Sequence, residues 1–489
     1  MSGRLLDLAE EAGFDWRSGR VLDPAAGGGA FLEPAALKMR ESVAGAEPAF
    51  LLAQIATRLT GFEIDENAAC LAQASLELAL ADLVLASGRP VPPIVQVCDA
   101  LEEAPAPGFD LVVGNPPYGR VTLTADQRDR FGRGLYGHAN LYGVFTDLAL
   151  RWAKPGGFVA YLTPTSFLSG RYYSALRSLL ASEAPPVAFD FVHARQGVFE
   201  DVLQETMLAV YRKSRARGRA QVHYLHVSSE QSASATKYGT VSLPASASEP
   251  WLAPRSPEHG ALIARAESMP SRLRDWGYGV STGPLVWNRF RSQLRDSSAG
   301  RSVHPLVWAE SVTVDGRFIF RARKKNHAPY FELRPQDRWL LVTDACVLVQ
   351  RTTAKGQPRR VVAAELPSAF VREHGGVVVE NHLNMIRATG RPKVATGIVA
   401  ALFNSRVVDQ LFRCMNGSVA VSAFELEALP LPSPETLGTL CRARGRPRRL
   451  HRGRRLSGAG AKPGPHRRDG VGADRAGEAG QAEPRVRTL

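Results

Sequence analysis

Asp110-Leu111-Val112-Val113-Gly114-Asn115-Pro116-Pro117-Tyr118 joins an apolar run to a rigid, aromatic-tipped turn. The run has the pattern of a short strand buried on both faces. Two consecutive prolines fix φ and remove two backbone N–H donors, which leaves carbonyls there to accept from a ligand. Asn115 adds a side-chain acceptor and Tyr118 a flat stacking face, a set that suits a planar ring held by an exocyclic amine. A plain strand-ending turn would use the same residues. The choice between the two rests on what the neighbouring strands carry.

Working outward, residues 1–215 alternate strand-like segments at 20–22, 60–64, 94–97, 110–113, 158–163, 187–192 and 206–211 with helical patterns at 30–40, 66–86, 141–153 and 172–180. That alternation predicts an α/β fold with a mostly parallel, doubly wound sheet, whose ligand crevice lies beyond the carboxyl ends of its strands. The first strand runs into Leu22-Asp23-Pro24-Ala25-Ala26-Gly27-Gly28-Gly29-Ala30-Phe31-Leu32, where glycines let the backbone pass close to a ligand at a helix start. It has neither a G-x-G-x-x-G fingerprint nor a P-loop lysine, which points to a different nucleoside-bearing cofactor. Gly61-Phe62-Glu63-Ile64-Asp65 ends the second strand on an acid that either accepts from ribose hydroxyls or caps the helix near Glu66. Asp99 follows the third strand and suits an adenine amino group. Four successive strand ends therefore present acceptor-bearing turns in order.

Together these motifs resemble the S-adenosylmethionine-dependent N6-adenine DNA methyltransferases. In their order (cofactor motifs, then N-P-P-Y, then target recognition, the gamma type) they resemble the type II enzymes of restriction–modification systems. The runs Asn140-Leu-Tyr-Gly-Val-Phe145 and Lys154-Pro-Gly-Gly-Phe-Val-Ala-Tyr-Leu-Thr-Pro164 are similar to later motifs of that family. The resemblance implies a Rossmann-like seven-stranded methyltransferase sheet over 1–215, connecting strands over 216–250 and a mixed α+β target-recognition domain over 251–440. It implies S-adenosyl-L-methionine as cofactor, with Ala25, Gly27, Gly29 and Phe31 shaping its pocket and Asp23 near its amino group. Glu63 would take the ribose, Asp99 the adenine, and Ile64 would pack on the ring. In the same pattern Asn115 and the Pro116 carbonyl accept the hydrogens of a flipped target adenine. Pro117 stiffens the turn, Tyr118 stacks on the base, and Phe199 is a second wall unless it is ordinary core. The implied partners are double-stranded DNA and a separately encoded restriction endonuclease, for a monomeric chain in the bacterial cytoplasm at the nucleoid.

Net charge is +14, which suggests nucleic acid. Residues 441–489 alone carry +10 of it, leaving +4 for the 440 residues before them. Local clusters must therefore make the case. Arg321-Ala-Arg323-Lys324-Lys325-Asn326-His327 and Arg351-Thr-Thr-Ala-Lys355-Gly-Gln-Pro-Arg359-Arg360 combine phosphate-binding cations with base-reading amides, or are solvated faces. Glu380-Asn381-His382-Leu383-Asn384 is either a turn or a base-reading loop. Residues 441–489, rich in Gly, Pro and Arg, are expected to be a disordered basic tail, and the abrupt change suggests a frameshift product.

No long uncharged apolar run or signal-peptide pattern occurs, so a soluble, unexported chain is expected. The scattered cysteines read as reduced, mostly buried thiols. No P-D…(D/E)-x-K pattern points to a fused nuclease. Few residues precede Asp23, where the family carries a segment that closes over the cofactor, so weak cofactor binding is expected. The rivals are a methyltransferase acting on RNA or protein glutamine, an inactive DNA-binding remnant, or a subunit that needs a separate specificity protein.

Overall fold

β1 (Val21–Asp23), β2 (Leu59–Glu63), β3 (Val95–Val97) and β4 (Phe109–Gly114) run parallel. β5 (Arg120–Val121) and β6 (Ala139–Asn140) make a small antiparallel ladder beyond them. β7 (Ala153–Pro164) lies parallel to β4, and β9 (Thr206–Arg212) is antiparallel to both β7 and β8 (Pro186–Ala194). β10 (Ala220–Ser229) pairs in parallel with β8, and β11 (Ser232–Val241) folds back on β10. The sheet order is β11-β10-β8-β9-β7-β4-β1-β2-β3. The seven strands expected from the sequence are all present, and β10 and β11, from the segment expected to connect the domains, extend the sheet to nine strands. The computed structural model describes residues 1–444 except 136, 138, 195–204, 217, 230, 231, 245, 247, 257, 354–356, 358, 418 and 419.

Alternate residues of the apolar run divide between two cores, as a period of two requires. Val112 packs with Leu22, Tyr161 and the helix Leu141–Trp152, whereas Leu111 and Val113 pack with Val21, Ala160 and the helices Ser2–Glu11 and Leu32–Ser42. Covering both faces explains why β1 is buried along its whole length. The chain leaves β1 toward β2 and β3, then returns to place β4 on β1's other side. That reversal opens a crevice at the carboxyl ends of β1 and β4. The pattern at 66–86 becomes two helices, Glu66–Ala79 and Ala81–Ser87, bent by 64° at Leu80. The fully buried Asp190 of β8 accepts from Arg4 Nε at 2.7 Å and lies 2.8 Å from His223 Nδ1, which fastens the first helix and β10 to the sheet.

The C-terminal region is mixed α+β. Its strands are β12 (Tyr278–Thr282), β13 (Leu294–Arg295), β14 (Val303–Val307), β15 (Tyr330–Glu332), β16 (Leu341–Val342), β17 (Cys346–Gln350), β18 (Ala363–Leu366), β19 (Val377–Val379) and β20 (Leu383–Ala388). They form one sheet of order β12-β20-β17-β18 and another of order β13-β15-β14-β19-β16. Helices His259–Glu267, Ser368–Glu373, Thr396–Phe403, Arg406–Met415 and Ala423–Ala428 accompany these sheets. The helix Pro434–Arg444 runs past residue 440, where disorder was expected to begin; residues 445–489 lie outside the described residues. Of the four cysteines whose side chains are described, Cys346 and Cys414 are buried, Cys98 is half-buried and Cys70 exposed, so half of them rather than most are buried. No single helix among the described residues is long and apolar enough to cross a membrane.

Buried polar groups join the C-terminal region to the edge of the large sheet. Glu425 Oε2 accepts the N–H and hydroxyl of Ser422, a capping box, while Oε1 accepts from Ser169 at 2.6 Å and Asn416 at 2.7 Å. Arg177, fully buried, donates to the carbonyls of Phe167, Gly170, Ser248 and Glu249. Every one of its nitrogens has a partner.

Candidate active site

β4 stops at Gly114 because two prolines follow, neither able to donate to a ladder. Asn115 and Tyr118 are exposed there, Pro116 is buried and Pro117 half-buried. The Tyr118 hydroxyl lies 2.5 Å from Asn115 Oδ1 and 2.9 Å from the Leu162 carbonyl of β7, so one O–H is shared between two acceptors. Burial of that oxygen pushes its pKa above the usual phenol range. The turn is thereby tied to the neighbouring strand, with the tyrosine ring partly in solvent.

On the adjoining strand Asp23 is fully buried. Its Oδ1 accepts the Ala25 N–H at 3.1 Å, and its Oδ2 has no partner among the described residues. Burial and, to a smaller degree, the Glu63 carboxylate push its pKa up to about 7, against the Ala25 N–H, which lowers it. A Cβ on Gly114 would stand 2.7 Å from Asp23 Oδ1, so the glycine before the turn makes room for the carboxylate. The sequence reading missed Gly114. Its signal was a glycine closing an otherwise apolar strand.

The remaining acceptors follow along β2 and β3. Glu63 accepts the Gly27 N–H at 2.7 Å on one oxygen and the Asp65 N–H at 3.0 Å on the other. Asp65, not Glu63, caps the helix Glu66–Ala79, through the Ala68 N–H. Gly29 has φ +89°, and a Cβ there would meet Ala72 at 3.1 Å, so this loop can lie flat on that helix only without a side chain. Gly27 also has positive φ, and Ala25 is half-buried beside the core. Asp99 Oδ1 accepts the Leu101 N–H at 2.9 Å. Ile64 is 68% exposed, an apolar side chain held in water at this edge. Phe31, by contrast, is buried in the core at the start of the helix Leu32–Ser42. Asp23, Glu63, Asp99 and Asn115 thus stand at the carboxyl ends of four adjacent strands.

Among the cationic residues singled out from the sequence, Arg323, Lys324 and Lys325 are exposed on a loop whose backbone is pinned by Glu310, which accepts from the Arg323 and Lys324 N–H groups. His327, stacked on Trp308 at 3.8 Å, lies 2.6 Å from the same carboxylate. Arg351 is committed elsewhere, donating to the Asn381 carbonyl at 2.6 Å, and Arg359 is half-buried. Within 380–384 only Asn381 and His382 form a turn, in which buried Glu380 accepts the His382 N–H; Leu383 and Asn384 already belong to β20, and Asn384 is fully buried and donates to the Val421 carbonyl. Phe199 and Lys355 lie outside the described residues.

Residues 99–199 match the family described as the Eco57I restriction-modification methylase. The chain is 28% identical over 345 residues to the type II methyltransferase M.PstI of Providencia stuartii, covering 68% of this chain and 66% of the relative. It is 26% identical over 342 residues to M.BsuBI of Bacillus subtilis, covering 68% and 67%. The matched part spans about two thirds of the length of these relatives. A solved structure of the type IIL restriction-modification enzyme MmeI with DNA is similar over 91% of this chain and 68% of that one, at 13% identity and a TM-score of 0.47. The chain is a homologue of the type II restriction–modification methyltransferases, with an Eco57I-type methylase domain over residues 99–199.

Proposed function

We propose that this chain is the site-specific adenine-N6 DNA methyltransferase of a restriction–modification system, acting with S-adenosyl-L-methionine on an adenine flipped out of duplex DNA. The observation that carries this is the exposed Asn115 carboxamide oxygen on the strand next to a buried carboxylate with an unpartnered oxygen. The residues present fit the cofactor. Asp23 Oδ2 lacks a donor that an ammonium group supplies, and each Glu63 oxygen keeps a lone pair for a ribose hydroxyl beyond its backbone bond. Asp99 keeps Oδ2 for an adenine amine, with Ile64 as an apolar face beside it. Gly27 and Gly29 keep the loop thin. When bound, this cofactor supplies a methyl group made electrophilic by a positive sulfur.

The chain's own residues then position the nucleophile. A stacked, paired adenine keeps its amine out of reach, so the base must leave the duplex. Asn115 Oδ1 and the Pro116 carbonyl accept the two amine hydrogens, which draws the nitrogen lone pair out of conjugation with the ring. Tyr118 releases Asn115 to admit the amine, and its ring stacks on the base, an interaction worth about 1–3 kcal/mol. Rate enhancement comes mainly from alignment and from acceptors already in place. The exposed Arg323, Lys324 and Lys325 serve as phosphate contacts. The matching partner is a separately encoded endonuclease that cuts the unmethylated site.

Tritiated methyl transfer to duplex DNA, RNA and protein tests the substrate class, and nucleoside analysis of the product tests the base. N6-methyladenine in duplex DNA, lost in Asn115→Ala, is the expected result. N4-methylcytosine would move the activity to another exocyclic amine, and label on RNA or protein alone would overturn the DNA assignment.

A further inference from the structure

On either side of the loop that runs from Arg321 to Ala328, arginines reach acids. Arg317, just before it, pairs with Asp315 at 2.6 Å, and Arg295, across the ladder from Tyr330, pairs with Glu332. Arg323, Lys324 and Lys325 do not follow them. Their side chains and that of Asn326 are exposed and make no hydrogen bond or ion pair among the described residues.

The backbone that carries these free side chains is fastened from both ends. Arg321 Nε donates to the Glu310 carbonyl, and Glu310 Oε1 accepts the Arg323 N–H at 3.0 Å and the Lys324 N–H at 3.4 Å. The same oxygen lies 2.6 Å from His327 Nδ1. The His327 N–H closes a turn on the Lys324 carbonyl at 2.9 Å. The His327 ring lies flat on Trp308, 3.8 Å between centres and 7° between planes, and Trp308 Nε1 donates to the Ala328 carbonyl at 2.7 Å. Trp308 is itself buried in the core, so the loop is tied to a fixed point.

Glu310 does not act as a counter-ion to the three cation side chains. It is 13% exposed, and its described bonds go to two backbone N–H groups and an imidazole. Burial works against its charge, yet the His327 ring and those N–H groups outweigh burial and hold the carboxyl below its ordinary value. Three adjacent like charges repel, and a fixed backbone takes away their freedom to spread. A solvated face needs no such scaffold. A loop that must meet a polyanion gains from it, because order set in advance is not lost again on binding. We propose that Glu310 is a positioning residue for nucleic-acid binding, holding residues 323–326 so that Arg323, Lys324 and Lys325 meet backbone phosphates of a duplex and Asn326 reaches a base edge. The Asn326 carboxamide has the paired donor and acceptor that match an adenine edge, which favours nucleic acid over an acidic protein surface. This inference rests on the substrate being duplex DNA, and adds to that reading the group that shapes the loop. Glu310 did not stand out in the sequence, because it lies apart from the cations that it positions.

The test uses the full-length chain as wild type, Glu310→Ala, Glu310→Gln, His327→Ala and Lys324→Ala/Lys325→Ala, each checked for cooperative thermal unfolding. Removing an acid from a basic surface should tighten duplex binding, or leave it alone, if the loop acts through charge only. If Glu310 positions the loop, Glu310→Ala should instead raise the KM for plasmid DNA about tenfold in tritiated methyl transfer, with kcat unchanged. Glu310→Gln, which keeps an oxygen for the two N–H groups, should restore most of that loss. His327→Ala, which takes the ring off Trp308, should also raise KM, and it serves if Glu310→Ala does not fold. In Lys324→Ala/Lys325→Ala the slope of log affinity on log salt, read by fluorescence anisotropy on a duplex oligonucleotide, should become shallower by about two. An unchanged or lower KM in folded Glu310→Ala or His327→Ala overturns the positioning role. An unchanged salt slope in the lysine variant overturns the phosphate contacts. Protection of Lys324 and Lys325 from acetylation by polyglutamate but not by duplex would also overturn the proposal, giving this loop to an acidic protein. Failure of the nucleic-acid assignment would look different: the wild type would neither bind nor methylate DNA.

Discussion

The edge formed by β1 to β4 and the C-terminal region of β12 to β20 are held together in opposite ways. At the edge, Asp65 caps three residues ahead, Asp99 accepts from two residues ahead, and Glu63 splints its own strand end and one neighbouring loop. In the C-terminal region the ties are distant: Trp276 donates to Pro432 O, Tyr278 to Val394 O, Asn384 to Val421 O and Ser169 to Glu425. A site made of local turns carries its chemistry in short motifs. A region made of distant ties carries its stability in single residues that look unremarkable in sequence.

That contrast can be tested first where the effect is largest. Asn115→Ala should lower methyl transfer by about 10²–10³-fold with little change in melting temperature, because its side chain bonds only the partly exposed Tyr118. A loss of stability instead would mean the edge is structural. Glu425→Ala should do the reverse, removing the acceptor of the Ser169 and Ser422 hydroxyls and one of the acceptors of the Asn416 amide. A loss of about 3 kcal/mol in denaturant unfolding is expected, and cofactor binding by the folded fraction should survive.

A smaller effect separates Asp23 from both. The folded chain holds a proton on Asp23 up to about pH 7, whereas the unfolded chain releases it near 3.8. The folded state therefore binds more protons between those values, and the resulting stabilisation is complete below pH 4 and lost as pH rises through 7. Unfolding of wild type against Asp23→Asn should show that difference shrink across the window, by at most about 1.4 kcal/mol per unit. Cofactor affinity should rise over the same window in wild type only, since an ammonium favours the ionised carboxylate. A flat difference would return Asp23 to an ordinary carboxylate. Smallest of all, Ser405→Ala removes the cap on the Val408 N–H of the helix Arg406–Met415. It should cost about 1 kcal/mol, read as a small drop in thermal midpoint with methylation retained.

The same contrast governs what was legible. Seven strands could be read because each is a short apolar run ended by its own turn residues, whereas their order in the sheet comes from the structure. β10 and β11 could not be read as full strands: the stretch 220–241 is polar and rich in Ser and Ala, and pairing with β8 overrides weak local preference. The helix 66–86 looked continuous because periodicity does not register a bend at Leu80. Asp23, Glu63, Asp99 and Asn115 could be placed at strand ends from the sequence, while the roles proposed for them follow from the family resemblance. Phe31 has the apolar character of a pocket residue, yet its side chain belongs to the core. Arg351 has the charge of a phosphate contact, yet its guanidinium supports a carbonyl at Asn381. A charge in a sequence does not say which partner it has.

The 2.7 Å gap between the absent Cβ of Gly114 and Asp23 Oδ1 has a consequence for how this protein varies. Any side chain at position 114 displaces the carboxylate, so the turn after β4 and the loop after β1 cannot drift separately. A lineage that leaves glycine there must change position 23 in the same step or pass through a crippled intermediate. The residue with no side chain is the hinge on which two motifs inherit together.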